Sequence, residues 1–169
     1  DQLEAALTRS VERHLAADHP AGIQLSGGTD SSVITAIAAR IQPGIPAYTV
    51  SFASGPADEA ALGGRIAELL GAEHRVVRVT QDDFEGAFNK VCAIMGQPVP
   101  SPAAIPQFLL CEAARDDTRV MLSGYGGDQI LGGPSVVRVL QELRGASAVS
   151  RLPPTVVQRA RKAAGPRLG

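Results

Sequence analysis

Seven consecutive residues, Ser26-Gly27-Gly28-Thr29-Asp30-Ser31-Ser32, bring together the groups that an oxyanion site needs. Gly27 and Gly28 carry no Cβ, so the backbone can curl around a phosphate and approach it closely, and the hydroxyls of Ser26, Ser31 and Ser32 can add hydrogen bonds. Asp30 is then out of place unless a cation lies between its carboxylate and the phosphate. Magnesium fits, because it keeps several waters and is commonly held by one or two carboxylates plus substrate phosphates. The competing reading is that the stretch only turns the chain and caps a helix, with Asp30 as a first-turn dipole partner. No lysine lies in the loop, so it is not the Gly-x-x-x-x-Gly-Lys-Ser/Thr type, and Gly-x-Gly-x-x-Gly does not occur. A loop that holds β and γ phosphates by backbone and magnesium suits attack at the α phosphorus, with pyrophosphate as leaving group.

Such a loop must be launched by a strand and received by a helix. "AGIQL" supplies the strand, and Val33, Ile34, Ile37, Ala38 and Ile41 recur at helical spacing after it. An amphipathic helix over residues 3–16 precedes them, with Leu3, Ala6, Leu7, Val11 and Leu15 near one face. The alternation then continues. "IPAYTVSF" reads as a second strand, Asp58 to Leu70 as a helix stopped by Gly71, and "HRVVRV" as a third strand. Thr80 with Asp83 forms a capping-box variant opening a helix to about Met95, a proline-punctuated loop follows, and Ala103 to Arg115 is a further helix. "TRVMLS" is the fourth strand, ending in the glycine-rich "GYGGDQILGG". Strands alternating with helices predict a three-layer α/β/α, Rossmann-like parallel sheet covered on both faces.

The 169 residues fit one domain, and 44% apolar content is enough for a core. Sixteen basic against 17 acidic side chains leave a net charge of −1, so no overall field favours nucleic acid or an anionic membrane. No apolar run approaches the roughly 18 residues that span a bilayer, and no secretory leader pattern opens the chain, so the expected location is cytoplasmic. Cys92 and Cys111 lack partner spacing and read as ordinary buried thiols; His14, His19 and His74 show no ligand spacing and read as surface or strand-edge residues. The first residue is Asp1 rather than methionine, which implies excision from something longer. Residues 1–143 are expected to form the main domain. Residues 144–169 carry six basic and no acidic residues and read as a truncated, basic C-terminal segment of it.

The loop resembles the Ser-Gly-Gly-x-Asp-Ser pyrophosphate loop of the N-type ATP pyrophosphatases. The likeness extends to the synthetase domain of asparagine synthetases and their relatives, because the chain from "DQLEAALTRS" through the loop, then "SFASG", "LGAEHRVVRVT", "PSPAAIPQFLL" and "VMLSGYGGDQILGG", follows that family's order over roughly residues 1–135. The resemblance implies a domain that binds ATP and Mg2+ and activates a carboxylate substrate as an acyl-adenylate. An amine or ammonia then displaces AMP to form an amide, with the protein chiefly positioning groups and neutralising charge. It further implies that Asp128 is a second magnesium ligand beside Asp30, and that backbone near Leu25, Ser54 and Gly124 holds adenine and ribose. An N-terminal glutaminase domain is expected in the parent chain, and neither cysteine here occupies the place of its nucleophile.

Two departures bear on substrate. Asparagine synthetases carry Ser-Gly-Glu-Gly-x-Asp-Glu where this chain has Ser123-Gly124-Tyr125-Gly126-Gly127-Asp128-Gln129. Tyr125 is similar to the β-lactam synthetase branch, where a tyrosine is catalytic, and lasso-peptide cyclases also have an aromatic there; the phenol could relay a proton or simply pack against the nucleotide. Gln97 stands where relatives commonly have an acid. The family places a catalytic lysine, and in the cyclising branch a glutamate partner for the tyrosine, beyond residue 135, where no match is found. Two further readings are an ATP-binding partner module without catalysis and a tRNA-modifying relative, the latter disfavoured by the near-neutral charge.

Overall fold

In the computed structural model the described residues are 2–16, 18–52, 59–99, 101–131 and 133. Ser54 and the segment 144–169 lie outside them. The elements run α1 (Gln2–Leu15), β1 (Ala21–Gln24), α2 (Thr29–Ile41), β2 (Pro46–Phe52), α3 (Glu59–Leu70), β3 (Glu73–Val79), α4 (Gln81–Met95), α5 (Ala104–Ala114), β4 (Val120–Leu122) and α6 (Gly127–Leu131). By packing, the chain divides into two compact units, Asp1–Tyr125 and Gly126–Gly169.

The first unit holds a four-stranded sheet in the order β3-β2-β1-β4, every pair parallel. Successive residues of β2 show why both faces are covered. Ala47 packs with Leu25 and Ala67 of α3, whereas Tyr48 packs with Leu110 and Ala114 of α5. Ile23, Ile37, Ala38, Ile45 and Val11 bind α1 and α2 to the α3 side of the sheet, and Ala87, Val91 and Ile105 join α4 to α5 on the other. The expected three-layer α/β/α arrangement is therefore present, with its core in the two sheet–helix layers.

Local chemistry sets the ends of the elements. Thr80 Oγ1 accepts from the Asp83 N–H at 3.2 Å while Asp83 Oδ2 accepts from the Thr80 N–H at 2.9 Å, so the capping box that opens α4 is formed. Gly96 ends the same helix in the left-handed region at φ 63°. β4 is shorter than "TRVMLS" suggests, because the Thr118 N–H donates to Ala114 of α5 and the Arg119 N–H to Pro20, leaving only Val120–Leu122 in the ladder. On the α5 side, Arg75 donates to both the Tyr48 hydroxyl and Asp117, and the Tyr48 hydroxyl donates to Asp117 at 3.3 Å. Burial pushes the Tyr48 phenol above its ordinary value, so this is a neutral structural tyrosine.

Candidate nucleotide site

The order β3-β2-β1-β4 makes β1 the strand at which the topology reverses: the chain leaves β1 toward β2 and β3, then returns to β1's other side as β4. In open parallel sheets, ligands bind beyond the carboxyl ends of the strands at such a switch point. The Ser26–Asp30 loop leaves β1 there and the Ser123–Tyr125 segment leaves β4 beside it.

The loop's hydrogen bonds are mostly internal. The Ser26 N–H donates to Ser31 Oγ at 3.2 Å, and the Ser31 and Ser32 hydroxyls donate to the Gly28 carbonyl at 3.1 and 2.7 Å. With the Ser31 proton on Gly28, the 3.1 Å contact between the Ser26 and Ser31 hydroxyls has Ser26 as donor. The serine hydroxyls expected to reach outward are thus engaged in shaping the loop. Main-chain N–H groups are what the loop presents. Gly28 is the N-cap of α2 and makes no side-chain cap, so the first-turn amides of Thr29, Asp30 and Ser31 carry the helix's partial positive charge with no capping side chain over them.

Gly27 sits at φ +77°, and a Cβ there would come within 3.0 Å of Leu62 on α3, so conformation and space both require glycine. Gly124 is needed for space alone. A Cβ on it would lie 2.6 Å from the Ser31 nitrogen and 2.8 Å from the Asp30 carbonyl carbon, which means the β4 exit lies directly on the N-terminus of α2. Gly124, Asp30 and Ser31 are thereby brought together. The half-buried Asp30 carboxylate has no hydrogen-bond or ion-pair partner among the described residues. Among those residues there is also no cluster of three or more metal-ligating side chains, so any divalent ion at Asp30 would take most of its ligands from substrate and water.

Leu25 is fully buried. Its N–H donates to Tyr48 at 2.8 Å and its carbonyl accepts from Thr49 Oγ1 at 2.7 Å. Tyr125 is 86% exposed, its N–H donating to Ser123 Oγ at 3.3 Å. Asp128 belongs to the second unit, exposed in the first turn of α6, a short helix within the glycine-rich segment. A Cβ at Gly133 would overlap the Asp128 carboxylate, so that glycine is a spatial requirement of the carboxylate's placement. Two residues escaped the sequence reading. Phe52 leaves a half-exposed aromatic side chain at the carboxyl end of β2, and His74, expected at a strand edge, is on edge strand β3 but turns inward, its Nε2 3.0 Å from Thr49 Oγ1. A histidine within a β-branched strand run gives no sequence signal for that.

A glycine loop and an uncapped helix at the switch point of a parallel three-layer sheet define an α/β fold of the kind that receives nucleotide phosphates. The same fold occurs in the NH3-dependent NAD synthetase of Campylobacter jejuni, with TM-score 0.52 and 12% identity over 78% of this chain and 59% of that one. It also occurs in the glutamine-dependent NAD+ synthetase of Acinetobacter baumannii, solved with ADP, with TM-score 0.53 and 19% identity over 77% of this chain and 26% of that one. The chain itself belongs to the asparagine synthase family, whose sequence profile matches residues 2–168. It is 35% identical over 144 residues to a putative glutamine-hydrolysing asparagine synthetase of Mycobacterium tuberculosis, covering 85% of this chain and 22% of the relative. It is 30% identical to asparagine synthetase B of Escherichia coli, over 79% of this chain and 27% of the relative. The chain thus spans about a quarter of the length of these relatives.

Proposed function

We propose that this chain is the ATP-using part of an amide-forming ligase of the asparagine synthetase type. The observation that carries the reading is the close approach of Gly124 to the uncapped N-terminus of α2, which sets the β1 and β4 exits side by side at its first-turn N–H groups. A triphosphate placed there meets the amides of Thr29, Asp30 and Ser31, in keeping with the anion preference of a helix N-terminus. The donor chemistry of Asp30 suits Mg2+, and the ion would neutralise phosphate charge as the α–β bond breaks. The loop N–H groups orient the α phosphorus toward a substrate carboxylate, whose oxygen forms the new P–O bond as pyrophosphate departs. An amine or ammonia then attacks the acyl-adenylate carbonyl, AMP leaves, and the amine's proton passes to a base. Main-chain groups of Leu25, Ser54 and Gly124 hold adenine and ribose. In the parent, ammonia comes from a glutaminase domain, in keeping with the glutamine-hydrolysing type of its relatives.

Tyr125 favours a second substrate reading within the same chemistry. It stands in place of the family's glutamate, exposed at the rim of the β4 exit, and Gln129 replaces a second acid. That pair is in keeping with amide formation on a specialised substrate, a lactam or a macrocyclised peptide, with the phenol assisting amine deprotonation. Carboxylate-dependent pyrophosphate–ATP exchange by the full chain tests the main reading, and the acid that stimulates it separates aspartate from the alternatives. ATP binding with no exchange for any acid would leave a non-catalytic ATP-binding partner module.

A further inference from the structure

The peptide unit between Leu25 and Ser26 is the point from which the glycine loop leaves the sheet, and it is pinned at both ends. Its N–H donates to Ser31 Oγ at 3.2 Å, and its carbonyl accepts from Thr49 Oγ1 at 2.7 Å. Thr49 has one proton to give, and that proton goes to Leu25. The 3.0 Å contact between Thr49 Oγ1 and His74 Nε2 is therefore donated by the histidine, which places a hydrogen on Nε2. Three adjacent strands so contribute one member each to a chain that runs from His74 on β3 through Thr49 on β2 to the end of β1.

The surrounding helix is adapted to this chain. Gly63 and Gly64 lie inside α3, where two consecutive glycines weaken a helix. A Cβ at Gly63 would lie 2.6 Å from Thr49 Oγ1, and one at Gly64 would lie 3.2 Å from His74 Nδ1. Leu62, one residue earlier, is the side chain against which Gly27 packs. Helix α3 thus trades helical propensity for room above the relay and supports the loop itself with the preceding residue, Leu62. Thr49 is fully buried, and burial also keeps His74 neutral by lowering its pKa from 6.5.

We propose that Thr49 and His74 are positioning residues of the phosphate loop: through the Leu25 carbonyl they set the direction in which the loop's N–H groups meet a polyphosphate. This rests on the reading of the loop as an ATP site. The test is titration calorimetry of the full chain with Mg–ATP and, separately, with adenosine, alongside thermal unfolding. Thr49→Val and His74→Leu each remove one donor at nearly constant bulk and are expected to weaken Mg–ATP binding about three- to ten-fold, the span of one net hydrogen bond, with a smaller loss for adenosine, which meets Leu25 but not the loop's N–H groups. Thr49→Ser keeps the hydroxyl and His74→Gln keeps an amide donor near the Nε2 position, so both should return to within about two-fold of wild type. Unchanged Mg–ATP affinity in Thr49→Val and His74→Leu overturns the proposal, as does an equal loss for adenosine or a failure of His74→Gln to rescue. If Thr49→Val does not fold, the His74 pair decides. A wild-type chain that binds no Mg–ATP overturns the underlying site reading, and this inference with it.

Discussion

Replacing Gly124 by alanine adds a single methyl group at the most crowded point of the site. The backbone there is not in the left-handed region, so no conformational strain is involved and the effect comes from space alone. The new Cβ would lie 2.6 Å from the Ser31 nitrogen, 2.8 Å from the Asp30 carbonyl carbon and 2.9 Å from the Asp30 Cβ, against the 3.4 Å at which ordinary contact begins. None of these atoms is the free end of a flexible side chain, so the β4 exit and the α2 N-terminus must separate by nearly an ångström. Overpacking of this kind costs about 1–3 kcal/mol, which for a chain of this size lowers Tm by roughly 2–10 °C. A displacement of about 1 Å among positioning groups costs on the order of 100-fold in rate. Differential scanning calorimetry and pyrophosphate–ATP exchange read the two effects. Gly86 in α4 is the control, because a Cβ there meets nothing within 4 Å and Gly86→Ala should stabilise by up to about 1 kcal/mol. Wild-type Tm and wild-type exchange in Gly124→Ala would refute the claim that these two segments touch.

Thr80→Ala removes the acceptor that caps α4 and should lower stability by about 1 kcal/mol, measured by urea unfolding, with nucleotide binding unchanged. His74 has its pKa depressed by burial from an ordinary 6.5, so its neutral form is favoured by folding; that contribution is complete above pH 6.5 and is lost as pH falls through the folded value. Thermal midpoints of wild type should therefore decline faster than those of His74→Gln as pH is lowered from 6.5, and parallel curves would show that His74 does not titrate in this way. Tyr125→Phe should leave pyrophosphate exchange intact while slowing amide formation if the phenol handles the amine's proton; equal rates of both steps would assign Tyr125 to packing.

The sheet and most helix boundaries were legible because each element states itself locally. The period of three and four after the loop, the Thr80–Asp83 pair and the glycines at 71 and 96 are all short-range signals, and the structure follows them. What the sequence could not convey is who satisfies whom. Ser26, Ser31 and Ser32 have the composition of a phosphate-donor set, yet their bonds run inward to Gly28 and to one another. Thr35 sits fully buried among apolar neighbours of α2 because its hydroxyl donates to the Ser31 carbonyl one turn back, a local bond that removes its polarity from the helical pattern. β4 is short because Thr118 belongs to the end of α5, and Gly63 and Gly64 read as poor helix residues until Thr49 and His74 are seen beneath them. Of the candidate site, the strand–loop–helix around Asp30 was readable from the motif, whereas the approach of Gly124 and the His74–Thr49–Leu25 relay depend on a register across strands that no sequence interval encodes.

The central claim is that the β1 exit cradles a triphosphate whose divalent counterion is held by Asp30, and calorimetric titration with ATP in the presence and absence of Mg2+ tests it most directly. The account predicts Mg2+-dependent binding in wild type, and loss of that binding in Asp30→Ala with an unchanged circular dichroism spectrum and Tm. The same ATP affinity in Asp30→Ala and wild type, with or without Mg2+, would contradict it.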